Sequence, residues 1–200
     1  CYFNKKGPAR DLEPFFNYKV TPGFSTPDWA KGAVFYQIYV DRFANGDPSN
    51  DVLNREYIYI KEPSKKIDDW YCYPEQMDVR NFYGGDLQGV LDHLDYLKEL
   101  GVDVIYLNPI FVSPSNHKYD IQDYDYIDPH YGKIVVDEGN TLPDWENNNM
   151  NASKYISRVT DKRNLEASNE FFVHFVEEVH KKGMRVILDG VFNHCGSFNK

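Results

Sequence analysis

The sequence predicts an α/β fold in which short buried strands alternate with helices along the chain. Residues 33–40, 103–107 and 185–189 are rich in β-branched and aromatic side chains and almost continuous in apolarity, which is typical of strands covered on both faces. Two longer stretches with apolar residues at helical spacing separate these runs. The predicted order is therefore strand, helix, strand, helix, strand, as in sheets of parallel strands.

Both predicted helices are bounded by residues that favour a helix start or a helix end. Asp86 is a suitable N-cap for the first helix, and Gly101 follows its last apolar position. The second helix is expected to begin at Ser168 or Asn169 and to end before Gly183. The apolar positions at helical spacing are Leu87, Val90, Leu91, Leu94, Leu97 and Leu100, followed by Phe171, Phe172, Phe175, Val176 and Val179.

The connections between these elements are very unequal in length. The links from helix to strand are short, whereas the links from strand to helix occupy residues 41–85 and 108–167. In parallel α/β folds, and above all in (β/α)8 barrels, functional groups lie in the strand-to-helix loops on one face. The first such turn lacks the glycine pattern of dinucleotide-binding folds. We therefore expect both long loops to form the functional face.

Composition excludes several classes of protein. With 200 residues, 42% of them hydrophobic, the chain is expected to be folded rather than disordered. A formal charge of -9 gives no attraction for nucleic acid, and no long apolar run predicts a membrane span. Three cysteines, Cys1, Cys72 and Cys195, cannot all pair within the chain and lack metal-type spacing. Neither nucleic acid nor a membrane is an expected partner.

The chain is expected to consist of an entry segment followed by one folded part. Residues 1–32 are rich in proline, glycine and aromatic residues without a sustained period, and they resemble a lead-in or the tail of a preceding domain. Residues 33–200 contain all the predicted strands and helices. The start at Cys1 shows no signal-peptide pattern. We interpret Cys1 as a cut end, with N-terminal processing and a lipid-modified Cys1 as the alternatives, and the cytoplasm is slightly favoured as the location.

The first long loop contains a candidate site for a hard cation. Calcium binds about six to eight oxygen atoms. Side chains of the loop supply several of these oxygens, and the Gly84 carbonyl and the Asp86 carboxylate, at the start of the first helix, could supply two more. An EF-hand would place Glu56 twelfth from Asn45, but it requires glycine where Asn50 stands. A turn rich in Asn and Asp without a metal is the alternative. The loop's own oxygen-bearing side chains are Asn45, Asp47, Asn50 and Asp51.

The second long loop and the end of the third strand carry candidate ligand-binding residues. Alternating Tyr and Asp residues over 117–129 suit a sugar, because rings cover its apolar face and carboxylates accept from its hydroxyls. An acidic solvated loop over packed tyrosines is the alternative. Asp189, with Asn193 and His194 behind it, ends the third strand where catalytic groups project. Spacing alone leaves open a nucleophilic Asp189, an acid/base pair with His194, and a histidine that merely packs at the rim.

At these residues the sequence resembles glycoside hydrolase family 13, the α-amylase superfamily, in its neopullulanase and cyclomaltodextrinase branch. The matching stretches occur in the family's order, and together they are specific. They are residues 34–43, 45–51, 82–87, 117–120 and 189–194.

The resemblance implies a fold and an activity. The fold would be the opening strand–helix–strand–helix–strand portion of a (β/α)8 TIM barrel with long strand-to-helix loops. The activity would be hydrolysis of α-1,4 glucosidic bonds, with α-1,6 bonds as a further option, in an α-glucan or maltooligosaccharide and with retention of configuration. The resemblance also allows for a homodimer of the intact protein. A relative that binds carbohydrate or calcium without catalysis is the alternative.

The resemblance also implies roles for single residues. Tyr119 and His194 would bind the sugar beside the cleaved bond, with His117 as a further candidate, and Asp189 would support the active-site network without being the nucleophile. No catalytic residue is expected in this chain, since the nucleophilic Asp, the acid/base Glu and the stabilising Asp would lie C-terminal to Lys200. A charge-rich insertion at 133–167 departs from the family and is expected to reshape the groove. The implied Ca²⁺ ligands are Asn45, Asp47, Asn50, Asp51, Gly84 and Asp86.

Overall fold

The computed structural model describes residues 1–198, which form two compact units, one over Cys1–Ala33 and one that begins at Val34. The first unit is built on an antiparallel hairpin of β1 (Tyr2–Asn4) and β2 (Gly7–Ala9). Its aromatic side chains lie mostly at the surface.

The second unit contains the remaining strands and the helices. Its strands are β3 (Phe35–Ile38), β4 (Ile58–Tyr59), β5 (Glu62–Pro63), β6 (Lys65–Lys66), β7 (Asn81–Phe82), β8 (Val104–Leu107), β9 (Phe111–Val112), β10 (Asp123–Ile127) and β11 (Arg185–Leu188). Its helices are α1 (Leu87–Asp92), α2 (Leu94–Glu99), α3 (Ser153–Thr160) and α4 (Lys162–Lys181).

The three predicted strands pair as one parallel sheet with β8 between β3 and β11. The register aligns Ile38, Leu107 and Leu188, so the residues that follow each strand emerge at one edge. Only β8 is covered on both faces as predicted. Strands β3 and β11 are partly exposed, because they flank the sheet, which does not close into a barrel within residues 1–198.

The first predicted helix is interrupted, which the apolar spacing did not reveal. His93 lies between α1 and α2 with φ -110° and ψ 13°. Its ring Nδ1 lies 2.8 Å from the Gly89 carbonyl, and since a carbonyl only accepts, the ring donates. The backbone N–H of His93 bonds to Val90 O instead. The side chain thus takes the acceptor of the helical hydrogen bond, and the helix breaks there.

The second predicted helix begins earlier than Ser168 or Asn169, so that expectation was wrong. Helix α4 starts at Lys162, and the carboxylate of Asp161 caps it by accepting from the Arg163 N–H at 2.9 Å. Leu165 is buried, which extends the apolar face of α4 into the charge-rich insertion. The insertion also forms α3, which packs against α4.

The main core lies between the sheet and helices α1, α2 and α4. Ile105 and Leu107 of β8 pack with Leu97, Phe175 and Val179, all of them fully buried. None of the helices in the part of the chain that the structure describes combines the length and apolarity needed to cross a membrane.

The central strand provides a test of this core. Replacing Ile105 by alanine is expected to lower the free energy of unfolding by about 2–5 kcal/mol, because a cavity remains in a fully buried site. Leu100, which is 53% exposed after α2, is the control, and its alanine variant should change stability by less than about 0.5 kcal/mol. Urea unfolding followed by circular dichroism measures both. Equal effects in the two variants would contradict the assigned core.

Candidate functional site

Tyr119 and Asp189 meet at the sheet edge where the parallel strands end. The Tyr119 hydroxyl donates to Asp189 Oδ2 at 2.8 Å, although the two residues are 70 positions apart in sequence. Burial and the nearby Asp189 carboxylate raise the pKa of Tyr106 on β8. Burial and the Asp189 carboxylate raise the pKa of Tyr119 to about 12, so its hydroxyl keeps its proton and remains a donor at neutral pH. The aromatic ring is thereby held at this edge.

His117 lies beside Tyr119 in the same turn. The ring centroids of the two residues are 5.9 Å apart, and the Tyr119 N–H donates to His117 Nδ1 at 3.1 Å. Because Nδ1 accepts, the proton of the neutral imidazole lies on Nε2. Burial lowers the pKa of His117, and Lys118 adds to that effect against the opposing charge of Asp120. His117 is therefore a neutral hydrogen-bonding group at neutral pH.

His194 follows β11, and its side chain is exposed. The Tyr124 hydroxyl approaches two carbonyl oxygens of this segment, 2.9 Å from Val191 O and 2.7 Å from His194 O. Strand β10, which contains Tyr124, thus holds the backbone of His194. The structure brings Tyr119, His117 and Asp189 together and leaves the His194 side chain exposed, a few residues after Asp189 in the sequence.

Asp86 joins the first long loop to helix α1. It is fully buried, and its Oδ1 accepts from the backbone N–H of Gly46 at 3.1 Å and of Gly89 at 2.6 Å. Its Oδ2 accepts from the Asp47 N–H at 2.8 Å and from Asn50 Nδ2 at 3.2 Å. Burial raises the pKa of Asp86, although these hydrogen bonds oppose the rise. Asp86 therefore acts as a helix cap, as predicted from its position, and as the anchor of the loop.

Four other residues that were predicted to bind the cation lie beside Asp86. Asn45 Nδ2 donates to Asp51 Oδ1 at 2.7 Å. A Cβ atom on Gly84 would lie 2.4 Å from that same Asp51 oxygen, and Gly84 has φ +82°, so only glycine fits there. The side-chain oxygens of Asn45 and Asn50 are buried without a hydrogen-bond partner. Unpartnered buried oxygens of this kind fit a bound cation.

Two other carboxylates of the predicted set, Asp51 and Asp47, already have cationic partners. Asp51 Oδ2 lies 2.7 Å from Lys66 Nζ, and Asp47 Oδ2 lies 2.8 Å from Lys133 Nζ. Burial would raise the pKa of Asp47, but the hydrogen bonds and charge of Lys133 and the Ser49 hydroxyl hold it below its usual value. Within residues 1–198, no group of three or more His, Cys, Asp or Glu side chains is arranged to hold a metal ion.

A buried chain of charges lies next to the turn of His117 and Tyr119 and was not predicted from the sequence. His130 Nδ1 lies 2.9 Å from Asp128 Oδ1, and His130 Nε2 lies 2.8 Å from Glu56 Oε1. Asp128 Oδ2 accepts from Lys118 Nζ at 2.5 Å, and Glu56 Oε2 accepts from Arg158 Nη1 at 2.9 Å. All five residues are buried. Glu56 therefore belongs to this chain of charges and is not the last ligand of an EF-hand.

No local pattern in the sequence marks this cluster. Glu56 is 74 positions from His130 and 102 positions from Arg158. Arg158 lies in the charge-rich insertion, where charged residues are expected at the surface. Only the folded chain brings these partners together.

The geometry determines the charge of His130. Carboxylates only accept hydrogen bonds, so both ring nitrogens must carry protons, and His130 is an imidazolium. Burial alone would lower the pKa of His130, but the charges of Glu56 and Asp128 raise it above its usual value. In turn, His130 and Lys118 hold the pKa of Asp128 well below its usual range, against the effect of burial.

Stability is expected to fall with rising pH through His130. The pKa of His130 is higher in the folded protein than the value of about 6.5 for an unfolded chain. Protonated His130 therefore stabilises the fold fully below about pH 6.5, and this stabilisation is lost as the pH rises through the folded pKa. Urea unfolding between about pH 7 and pH 9.5 measures the loss. Burial raises the pKa of Asp41 to about 6, so its titration lies mostly below this window.

His130→Gln should remove most of this pH dependence. His174→Gln is the matched control, because the His174 side chain is 55% exposed on α4. The control should keep the wild-type slope. A wild-type stability that stays level across the window would show that His130 is not held as an imidazolium.

The chain is similar in sequence to known proteins. The chain is 41% identical over 182 residues to an amylopullulanase from Thermoanaerobacter thermohydrosulfuricus, covering 84% of this chain and 10% of the relative. It is 40% identical over 173 residues to neopullulanase 2 from Thermoactinomyces vulgaris, covering 86% of this chain and 21% of the relative. The chain thus spans about a tenth to a fifth of the length of these relatives.

The chain is also similar to solved structures of named glycoside hydrolases. The type III pullulan hydrolase from Thermococcus kodakarensis superposes with a TM-score of 0.64 at 30% identity, over 90% of this chain and 26% of its own. A cyclic alpha-maltosyl-(1→6)-maltose hydrolase from Arthrobacter globiformis, solved with maltose, superposes with a TM-score of 0.59 at 35% identity, over 86% of this chain and 28% of its own. The family described as alpha amylase, catalytic domain, matches residues 37–138. The chain belongs to the alpha-amylase family, in the branch that contains the neopullulanases and cyclomaltodextrinases.

Proposed function

We propose that this chain is the opening portion of the catalytic (β/α)8 barrel of a retaining α-glucan hydrolase. The observation that carries the proposal is the contact between Tyr119 and Asp189 at the edge where the parallel strands end. Functional groups of (β/α)8 enzymes lie at this edge. The relatives named amylopullulanase, neopullulanase and cyclomaltodextrinase support a substrate with α-1,4 or α-1,6 glucosidic bonds.

In this proposal the chain supplies one wall of the sugar pocket. The Tyr119 ring offers a flat apolar surface to a glucose ring. Asp189 holds the tyrosine ring in place by accepting a hydrogen bond from the Tyr119 hydroxyl. The neutral His117 has a donor at Nε2 for a sugar hydroxyl, and the exposed His194 is a second polar contact. These residues bind and orient the sugar.

The bond-breaking groups are proposed to lie in the remainder of a longer polypeptide. A retaining glycosidase needs two carboxyl groups about 5 Å apart across the scissile bond. The solved relatives are covered to 26% and 28% of their length by this chain, which leaves room for the further strands of a barrel. The nucleophilic Asp, the acid/base Glu and the stabilising Asp are assigned to those strands, and the 200-residue chain is expected to bind without hydrolysing.

Sugar binding by Tyr119 is open to direct measurement. Calorimetry of the chain with maltotriose is expected to show binding that weakens at least about tenfold in Tyr119→Ala, because the stacking surface is lost. Tyr96→Ala is the control, since Tyr96 is 52% exposed on α2, away from the sheet edge. Tyr119→Phe keeps the ring and loses only the bond to Asp189. Wild-type affinity in Tyr119→Ala would refute the assigned pocket.

We also propose that the first long loop binds Ca²⁺. The buried, unpartnered side-chain oxygens of Asn45 and Asn50 support the proposal, together with Asp51 and the glycine required at position 84. Oxygen atoms of amides, carbonyls and carboxylates are the ligands that calcium takes. All three carboxylates of the predicted set already have polar partners, Lys66 for Asp51, Lys133 for Asp47 and backbone N–H groups for Asp86. A bound calcium ion would supply positive charge that ties the loop to α1, with a structural role.

Calcium binding is expected to raise the melting temperature. An excess of about 100 times the dissociation constant stabilises by about 2.7 kcal/mol, or roughly 5–10 °C for a chain of this size. Chelator should reverse the rise, and Asn45→Ala or Asp47→Ala should remove most of it. Asn147→Ala, at an exposed position, is the control for Asn45→Ala. Melting curves that calcium and chelator leave unchanged would reject the site.

A further inference from the structure

We propose that Lys118 is a positioning residue, which holds the turn of His117 and Tyr119 in its sugar-binding orientation from inside the protein. The inference rests on the proposed function, because it assigns a cause to the placement of the sugar-binding residues. Lys118 makes no contact with the sugar in this proposal. It acts through the backbone that it shares with its two neighbours.

The Lys118 side chain is buried to an extent that is rare for lysine. It is 1% exposed, and its ammonium lies 2.5 Å from Asp128 Oδ2 and 2.9 Å from the Ser113 carbonyl. The ammonium also lies 4.8 Å from the ring centroid of Tyr131. Removing a lysine charge from water costs several kcal/mol unless paired charges and acceptors compensate. The contacts with Asp128, Ser113 and Tyr131 supply that compensation.

The backbone at Lys118 is also unusual. Its φ is +59°, in the left-handed region that residues other than glycine adopt rarely because the backbone is strained there. Its N–H donates to Ser115 Oγ at 3.1 Å. Because the side chain is anchored inside, the backbone turns at this residue. His117 and Tyr119, which flank Lys118 in the sequence, meet there, and the Tyr119 N–H donates to His117 Nδ1.

Asp128, whose carboxylate binds the Lys118 ammonium, is itself held by further hydrogen bonds. Asp128 Oδ1 binds His130, and Asp128 Oδ2 also accepts from the Ser113 N–H at 3.1 Å. His130 in turn is held by Glu56, and Glu56 by Arg158 of α3. The carboxylate is therefore a rigid, negatively charged partner. Loss of the lysine would leave it less compensated and would free the turn that carries Tyr119.

A lysine that only stabilises the fold would give a different result from one that positions Tyr119. A purely stabilising lysine would lower the melting temperature without moving the Tyr119 ring in molecules that remain folded. A positioning lysine moves the ring and breaks its contact with Asp189 even in folded molecules. The environment of Tyr119 is therefore the deciding measurement.

The experiment compares Lys118→Met with Lys182→Met in the 200-residue chain. Lys182 is a matched control, since it is 40% exposed and pairs with Asp95 at the surface. Fluorotyrosine placed at position 119 reports the ring environment by ¹⁹F NMR, at a temperature where circular dichroism shows folded protein. Lys118→Met is expected to shift the resonance towards that of solvent-exposed tyrosine and to weaken maltotriose binding about tenfold. Lys182→Met should change neither quantity.

A resonance that stays at its wild-type position in folded Lys118→Met overturns the proposal. If Lys118→Met does not fold, Asp128→Asn decides, because it keeps the shape of the anchor and removes the charge that holds the ammonium. The Tyr119 signal should then shift in Asp128→Asn, and an unshifted signal counts against the proposal. If the wild-type chain binds no maltotriose, the assigned sugar pocket fails while the ¹⁹F comparison still tests the role of Lys118.

Discussion

The imidazolium of His130, bonded to one carboxylate on each side, is the interaction on which the functional face depends. It joins Glu56 of the first long loop to Asp128 of the second. Each of these charges would be costly to bury alone, and removing one partner would leave the others uncompensated. The cluster is therefore stable only as a set, and that set holds together the two long strand-to-helix loops.

The same cluster also connects the two candidate sites. Arg158 Nη1 donates to Glu56 and, at 2.8 Å, to the backbone carbonyl of Asp51 in the oxygen-rich loop. At the other end, Lys118 joins the cluster to the turn that carries Tyr119. Helix α3, which supplies Arg158, comes from the charge-rich insertion. That insertion thus supports the inside of both loops, a role that its composition does not suggest.

The parallel sheet determines where this chemistry is placed. Its register ends β3, β8 and β11 at one level, so that Asp189 emerges beside the residues that follow the other strands. A sheet alone does not organise loops of this length, because a long chain that is tied only at its ends keeps much conformational freedom. Buried polar anchors reduce that freedom. Asp86 performs this task for the first loop, as the cluster of His130 does for both.

Much of this protein follows from the sequence by itself. The runs of β-branched and aromatic residues located the strands of the parallel sheet, and Asp86 was identified as a helix cap. These features depend on neighbours a few residues apart, which is the range over which hydrophobic periodicity and capping act. The motifs around Tyr119 and Asp189 likewise indicated the family before any contact was known.

Tertiary structure decided the rest, because the deciding partners are far apart along the chain or compete locally with the helical pattern. The ring of His93 takes a helical acceptor and breaks the first helix, and Asp161 starts α4 before the predicted cap. Tyr119 reaches Asp189 across 70 residues, and Glu56 finds Arg158 across 102. A buried charge is tolerated only where its counter-charges converge. The sequence shows the charged residues, and only the fold shows which of them meet.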